Sequence, residues 1–175
     1  MSRAARALID LEALQHNFRK VQELAPNSKI LAVIKADGYG HGIVRMARNL
    51  RDADAFAVAS LEEAETLREA GIKKPIVLLE GIFNASELAV AADQNLEIVV
   101  HHKEQLELLE SVLTAVALQA WLKIDTGMHR LGFAPEQAKA AWQRLHDCTS
   151  ITDDVRLMTH LANADDREDL YTEEQ

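Results

Sequence analysis

The sequence has little of what stabilises small secreted proteins. Cys148 is the only cysteine in 175 residues, so an intrachain disulfide is impossible, and a lone thiol is more typical of a reducing compartment than of secretion. Three prolines and seven glycines are too few for a fibrous or low-complexity chain. We therefore predict a folded globular protein that does not depend on disulfides.

Long apolar runs are also missing. No stretch approaches the roughly 18 apolar residues of a membrane-spanning helix, and Asp10, Glu12 and Gln15 interrupt the basic start before a signal peptide could form. A formal net charge of −9 argues against a broad contact surface for nucleic acid. The sequence thus predicts a cytoplasmic protein that binds neither a membrane nor nucleic acid.

What the chain does contain is a series of six short apolar runs, each of the length of a buried strand. The runs cover residues 30–34, 56–59, 76–79, 96–100, 118–124 and 155–158. Most of the segments between them carry apolar residues at helical spacing. This alternation predicts a parallel sheet covered by helices.

Some helix boundaries follow from local signals. Ser60 and Glu63 have the spacing of a capping box at the start of a helix. Leu106, Leu109 and Leu113 fall on one face of another predicted helix. These patterns predict where one connecting helix begins and which face of another is buried.

Two closures of such a sheet fit the pattern. One is an open doubly wound sheet, and the other is a (β/α)8 barrel, which needs eight strands in about 250 residues. Only six units are countable, and residues 165–175 resemble the opening of a charged helix with no strand after it. No linker or repeat divides the chain, so we expect a single domain over residues 1–175.

The most informative segment is Val-Ile-Lys-Ala-Asp-Gly-Tyr-Gly-His-Gly at residues 33–42. It delivers Lys35 at the carboxyl end of an apolar strand, which is the ligand-binding edge of a parallel sheet. Among apolar neighbours a lysine can present a neutral amine that forms a Schiff base. The simpler alternative is a lysine whose methylene groups cover apolar surface before a glycine-rich loop.

This segment closely resembles the cofactor-lysine motif of alanine racemases. The match joins a lysine, an acidic residue, a tyrosine and three glycines in fixed order, which is more specific than a bare glycine pattern. The resemblance implies that Lys35 bonds covalently to pyridoxal 5'-phosphate and is the base for the D-enantiomer. It also implies that Tyr39 reaches toward the cofactor phosphate, whereas we interpret His41 as structural.

A second segment, residues 121–132, resembles the other signature of the same family. The resemblance implies that Arg130 lies beside the substrate carboxylate and the phenolic oxygen of the cofactor, a role suited to a guanidinium fork. It also implies that Lys123 is carbamylated and helps to position Arg130, and that the ring of His160 stacks against the cofactor pyridine. On residue type alone, Asp125 and Arg130 would be a surface ion pair.

The resemblance selects the barrel: a parallel (β/α)8 TIM-barrel fold, truncated after about six βα units. It implies an alanine racemase that interconverts L- and D-alanine and supplies D-alanine for peptidoglycan, with a homodimer as the full-length form. The opposite base in that family is a tyrosine of a carboxyl-terminal β domain. No matching motif surrounds Tyr171, so we expect that domain to be absent and this chain to bind the cofactor weakly and to be catalytically incomplete.

Two alternatives remain open from the sequence. One is a pyridoxal-phosphate-binding carrier protein that does not racemise, and the other is an open α/β module that binds a phosphorylated ligand without catalysis. The histidines show no metal-ligand spacing, and Cys148 lies in a polar stretch without a basic cluster. We therefore predict neither a metal site nor a cysteine nucleophile.

Overall fold

The computed structural model describes residues 6–175. The first five residues lie outside the described part, and they belong to the basic start from which we predicted that there is no signal peptide. Six strands form one parallel sheet in which each strand pairs with the next along the chain. They are β1 (Leu31–Val33), β2 (Ala55–Val58), β3 (Ile76–Leu78), β4 (Glu97–Val100), β5 (Ala120–Lys123) and β6 (Arg156–Met158).

This strand order decides between the two closures. A doubly wound sheet reverses its order at a switch point, whereas a (β/α)8 barrel adds each strand beside the last. The observed order is that of the barrel, of which the chain supplies six strands. The predicted barrel-type α/β fold is confirmed, and each of the six strands overlaps one of the predicted apolar runs.

Helices precede and connect the strands. They are α1 (Leu11–Leu24), α2 (Lys35–Tyr39), α3 (Ile43–Asn49), α4 (Leu61–Glu69), α5 (Ala85–Asp93), α6 (Lys103–Ser111), α7 (Pro135–His146) and α8 (Tyr171–Glu174). Among the described residues, no helix has the length and apolar character that a membrane span requires.

Three local expectations need correction. Leu113 is 85% exposed because α6 ends at Ser111, before that residue could continue the buried face. Ser60 makes no side-chain cap, and the Glu63 carboxylate accepts from the backbone N–H of Ala59. The predicted charged helix over 165–175 is reduced to α8, with turns before it.

Both faces of the sheet carry apolar clusters. Its outer face packs on the helices in a large apolar core that includes Phe56, Leu78 and Ile98. Its inner face carries a smaller cluster built on Ala57, Val77 and Val99, with partly buried neighbours that include Leu31, Leu79, Trp121 and Met158. Alternate residues of each strand therefore face the barrel interior.

A polar group fills the interior near the amino ends of β4 to β6. The Glu97 carboxylate accepts from Trp121 Nε1 at 2.6 Å and from the Arg156 guanidinium at 3.1 Å. The guanidinium lies 5.0 Å from the centre of the Trp121 ring, within range of a cation–π contact. The opposite, carboxyl end of the barrel carries the candidate site.

Candidate ligand-binding site

The segment after β1 is a turn of left-handed helix. Residues 36–40 all have positive φ, from 52° at Asp37 to 80° at Gly40. Three of these five residues are not glycine, and a left-handed conformation costs a residue with a Cβ roughly 1–2 kcal/mol. Backbone strain of this kind persists only where surrounding contacts enforce it, and it is concentrated at functional sites. The turn begins at Lys35, which is half-buried at the barrel mouth.

Contacts from neighbouring elements hold this turn in place. The Asp37 carboxylate accepts from the backbone N–H of Ile43 at 2.8 Å, at the start of α3. The backbone N–H of Asp37 donates to the Glu63 carboxylate of α4 at 3.3 Å. A Cβ at Gly38 would lie 2.8 Å from the side chain of Met46, so only glycine fits there. The turn is thus fixed against both α3 and α4.

The loop after β5 is organised by the Asp125 carboxylate. It accepts from the backbone N–H groups of Gly127 at 3.0 Å and His129 at 2.9 Å, and these two bonds lower the pKa of Asp125. A Cβ at Gly132 would lie 2.6 Å from the backbone nitrogen of Asp125, so the loop closes tightly on itself. Arg130 is carried by this loop, and the Asp125 carboxylate binds the loop backbone rather than forming the surface ion pair with Arg130 that residue type alone would suggest.

The last described segment lies against the loops after β5 and β6. The Tyr171 hydroxyl donates to the carbonyl of Gly127 at 2.9 Å. The Gln175 amide donates to the carbonyl of His160 at 3.3 Å and accepts from the backbone N–H of Ala162 at 2.8 Å. Tyr171 therefore supports the Arg130 loop.

A cavity of about 430 Å³ opens at the carboxyl ends of the strands. It is lined by all five residues that the sequence singled out, Lys35, Tyr39, Lys123, Arg130 and His160. Small-molecule sites have volumes of roughly 300–1,000 Å³. Residues from β1, β5 and β6, far apart in the sequence, thus meet at one site of suitable size.

The cavity is strongly cationic. The pKa of Lys123 is lowered, first by burial of its amine and then by the neighbouring charge of Arg130. The pKa of His160 is lowered in the same way, by burial and then by Arg130, Lys123 and Lys35. Neighbouring positive groups thus act on both Lys123 and His160, and a site lined by such groups favours an anionic ligand such as a phosphate ester.

The structure also adds residues that the sequence reading missed. Glu80 lines the cavity, and it directly follows the apolar run of β3 just as Lys35 follows β1, so the same signal would have identified it. Gln105 and Glu63 act from helices through backbone contacts that sequence patterns do not reveal. His41 has its Nδ1 atom 2.9 Å from the carbonyl of Gly38 and does not line the cavity.

Other features of residues 6–175 compete poorly with this site. No group of three or more His, Cys, Asp or Glu side chains there is placed to hold a metal ion. A second cavity of about 310 Å³ lies beside α6 and α7, lined by residues that include His102 and Arg144. It contains none of the five predicted residues.

Comparisons with known proteins agree with this geometry. The chain is 52% identical over 173 residues to an alanine racemase of Photobacterium profundum, covering 99% of this chain and 48% of that protein. It is 49% identical over 172 residues to a biosynthetic alanine racemase of Escherichia coli, covering 98% of this chain and 48% of that protein.

A solved structure gives the same result. The crystal structure of biosynthetic alanine racemase from Pseudomonas aeruginosa superposes with a TM-score of 0.89 at 41% identity, covering 95% of this chain and 46% of that one. The chain therefore spans about half the length of these relatives. The family model described as alanine racemase, N-terminal domain, matches residues 9–175. The chain belongs to the alanine racemase N-terminal domain family.

Proposed function

We propose that residues 1–175 are the amino-terminal part of the pyridoxal-phosphate-binding barrel domain of an alanine racemase. The protein would interconvert L- and D-alanine in the cytoplasm, supply D-alanine for peptidoglycan, and act as a homodimer in its full-length form. One observation carries the proposal: Lys35, Tyr39, Lys123, Arg130 and His160 line a single cavity at the carboxyl ends of the strands.

The cavity fits the cofactor in charge and in chemistry. Its cations suit a phosphate, and Lys35 supplies an amine able to bond to an aldehyde. When bound, the cofactor withdraws electrons from the α-carbon of an amino acid and so makes its proton removable. The phenol of Tyr39, which is 59% exposed at the cavity, is free to donate to the phosphate.

The protein side of the reaction is proton transfer and orientation. Lys35 removes or returns the α-proton on one face of the substrate, and its amine is the base for the D-enantiomer. The guanidinium of Arg130 would hold the substrate carboxylate. The ring of His160, whose pKa is lowered by burial and by neighbouring cations, would help to hold the cofactor ring. In this proposal the described residues that line the cavity supply the base for one face only.

Lys123 has a separate role in this proposal. Burial and the charge of Arg130 favour its neutral amine, which is the form that adds to carbon dioxide with release of a proton. The resulting carbamate would be anionic and would orient Arg130 by a charge-assisted hydrogen bond. Carbamylation of Lys123 would thus replace its repulsion from Arg130 with an attraction.

Exchange of the α-proton with solvent tests the proposal. With pyridoxal phosphate added, the chain should exchange the α-proton of D-alanine in D₂O faster than that of L-alanine, with little racemisation, because one base is present. Lys35→Ala should abolish this exchange, and Lys139→Ala, on the exposed face of α7, should not. Rapid racemisation would refute the claimed incompleteness, whereas cofactor binding without exchange would favour the carrier alternative.

A further inference from the structure

A chain of side-chain hydrogen bonds joins the loop after β5 to the loop after β6. The Oγ1 atoms of Thr126 and Thr159 lie 2.7 Å apart, and the Thr159 hydroxyl donates to the carbonyl of Ile124 at 3.0 Å. At the other end of the chain, the amide nitrogen of Gln175 donates to Thr126 Oγ1 at 3.3 Å. Thr159 lines the cavity, so the chain of bonds runs from Gln175 to the cavity wall.

The direction of every bond in this chain is determined. A threonine hydroxyl carries one hydrogen, and Thr159 uses its hydrogen on the carbonyl of Ile124, which only accepts. The hydroxyl of Thr126 therefore donates to Thr159 and accepts from the amide of Gln175. Bonds that run in one direction polarise one another, so the loss of one member weakens the others.

Gln175 also holds the backbone of the loop after β6. Its amide nitrogen donates to the carbonyl of His160 at 3.3 Å, and its amide oxygen accepts from the backbone N–H of Ala162 at 2.8 Å. These two partners fix which end of the amide is the nitrogen, because a carbonyl only accepts and a backbone N–H only donates. One side chain thus contacts both loops.

The helix that precedes Gln175 is anchored to the same two loops. The Tyr171 hydroxyl of α8 donates to the carbonyl of Gly127, and a Cβ at Gly127 would collide with that hydroxyl. The Asp169 carboxylate accepts from the side-chain amide of Asn163 at 2.6 Å and from the backbone N–H of Tyr171 at 2.9 Å. Gln175 lies four residues after Tyr171, on the same helical face, so these anchors direct it toward the loops.

The two loops carry two of the residues that line the cavity, Arg130 after β5 and His160 after β6. We propose that Thr126 and Gln175 are positioning residues that hold Arg130 at a fixed separation from His160. Neither of them lines the cavity, so both act through the hydrogen-bonded chain. The inference rests on the proposed function for what Arg130 and His160 bind, whereas their separation can be measured without a cofactor.

The titration of His160, followed by NMR of its ring protons in the full 175-residue chain, reports this separation. Burial lowers the pKa of His160, followed by the charges of Arg130, Lys123 and Lys35. Thr126→Val keeps the shape of the side chain and removes its hydroxyl, so the pKa of His160 should rise by part of the rise that Arg130→Gln produces. Thr126→Ser keeps the hydroxyl and should leave this pKa unchanged.

A double-variant cycle separates positioning from a merely structural effect. In the Arg130→Gln background, Thr126→Val should have little effect on the pKa of His160, because the charge whose distance it changes is gone. A general loosening of the loop would instead shift the pKa equally in both backgrounds.

Gln175→Met tests the other end of the chain, because it keeps the side-chain length and removes all three bonds of the amide. It should also raise the pKa of His160, and adding Thr126→Val should raise it no further, since both substitutions break the same chain. Thr152→Val is the matched control. The Thr152 hydroxyl donates to the Gln119 side chain at the amino end of β5, and its loss should leave the His160 titration unchanged.

Each outcome supports or refutes a stated role. If Thr126→Val leaves the pKa of His160 unchanged, lowers it, or shifts it equally in the Arg130→Gln background, the role of Thr126 is refuted. If Gln175→Met has no effect, or if its effect adds to that of Thr126→Val, the role of Gln175 is refuted. Failure of the proposed function is distinct, because it would appear as absence of a borohydride-trapped adduct on Lys35 whatever the titration of His160.

Discussion

At the residue scale, the left-handed turn after Lys35 is the most constrained part of the molecule. Ala36, Asp37 and Tyr39 adopt a left-handed backbone conformation, which is unfavourable for residues that carry a Cβ. Hydrogen bonds from Gly40 to Ala36 at 2.9 Å and from Gly42 to Asp37 at 2.8 Å close the turn. The backbone strain is therefore borne by the turn that directly follows Lys35.

Substitutions at two glycines of this turn distinguish the cost of backbone strain from the cost of a steric contact. Gly40→Ala should lower the free energy of unfolding by about 1 kcal/mol, since its φ is positive but a Cβ there would meet nothing within 4 Å. Gly38→Ala should cost about 2–4 kcal/mol, because its Cβ would also meet the Met46 side chain at 2.8 Å. Urea unfolding of both variants measures the difference; equal losses would mean that the contact with Met46 is readily relieved.

The charges of the cavity predict a change in the titration of His160. Its pKa is held below the ordinary value of about 6.5 by burial, then by Arg130, Lys123 and Lys35. Because the folded pKa is lower than the unfolded one, this histidine contributes stability above the unfolded pKa that is lost as the pH falls. Arg130→Gln should raise the pKa of His160, measured by NMR of the ring protons.

Arg144→Gln is the control for that titration. Arg144 pairs with Glu110 on the outer surface, with a guanidinium nitrogen 2.7 Å from the carboxylate, and it does not line this cavity. Its removal should leave the His160 titration unchanged. If the two arginine variants shift His160 equally, the local electrostatic account of the cavity is wrong.

At the scale of elements, the strands and their ends were the predictable part. A buried strand is recorded directly as an apolar run, and the residues at its carboxyl end lie at the binding edge, which places Lys35, Lys123 and His160. The hand of the turn after Lys35 could not be predicted, because it depends on Met46 and Glu63 from other helices. The exposure of Leu113 was also not predicted, because the sequence pattern did not show that α6 ends two residues earlier.

The loop that carries Arg130 should depend on Asp125. Asp125→Ala removes the acceptor for the backbone N–H groups of Gly127 and His129, so hydrogen exchange at these two amides should accelerate severalfold while the strands stay protected. Asp166→Ala removes a similar bond, to Glu168 at 2.9 Å, and should leave the exchange of both loop amides unchanged. Unaltered exchange in Asp125→Ala would show that the loop is held by other contacts.

At the scale of the whole molecule, β1 and β6 are the two edges of the sheet among residues 6–175. Leu157 of β6 pairs in register with Leu122 of β5, yet it is 61% exposed whereas Leu122 is fully buried. An exposed apolar residue on an edge strand favours association through the sheet. The isolated chain is therefore expected to self-associate through β6.

Leu157→Glu should raise the monomeric fraction, measured by light scattering after size exclusion, with a change in unfolding free energy within about 0.5 kcal/mol. Leu122→Glu, at the register partner, should instead unfold the chain because it buries a charge in the core. If Leu157→Glu leaves the association state unchanged, the β6 edge is not the self-associating surface.

We propose that this fold directs one lysine, Lys35, to a cofactor. Borohydride reduction of the chain with limiting pyridoxal phosphate, followed by peptide mapping, measures which lysine forms the bond. The label should be concentrated on the peptide that contains Lys35. This label should be lost in the Lys35→Ala variant. Label spread over surface lysines such as Lys103 and Lys139, unchanged in Lys35→Ala, would contradict it.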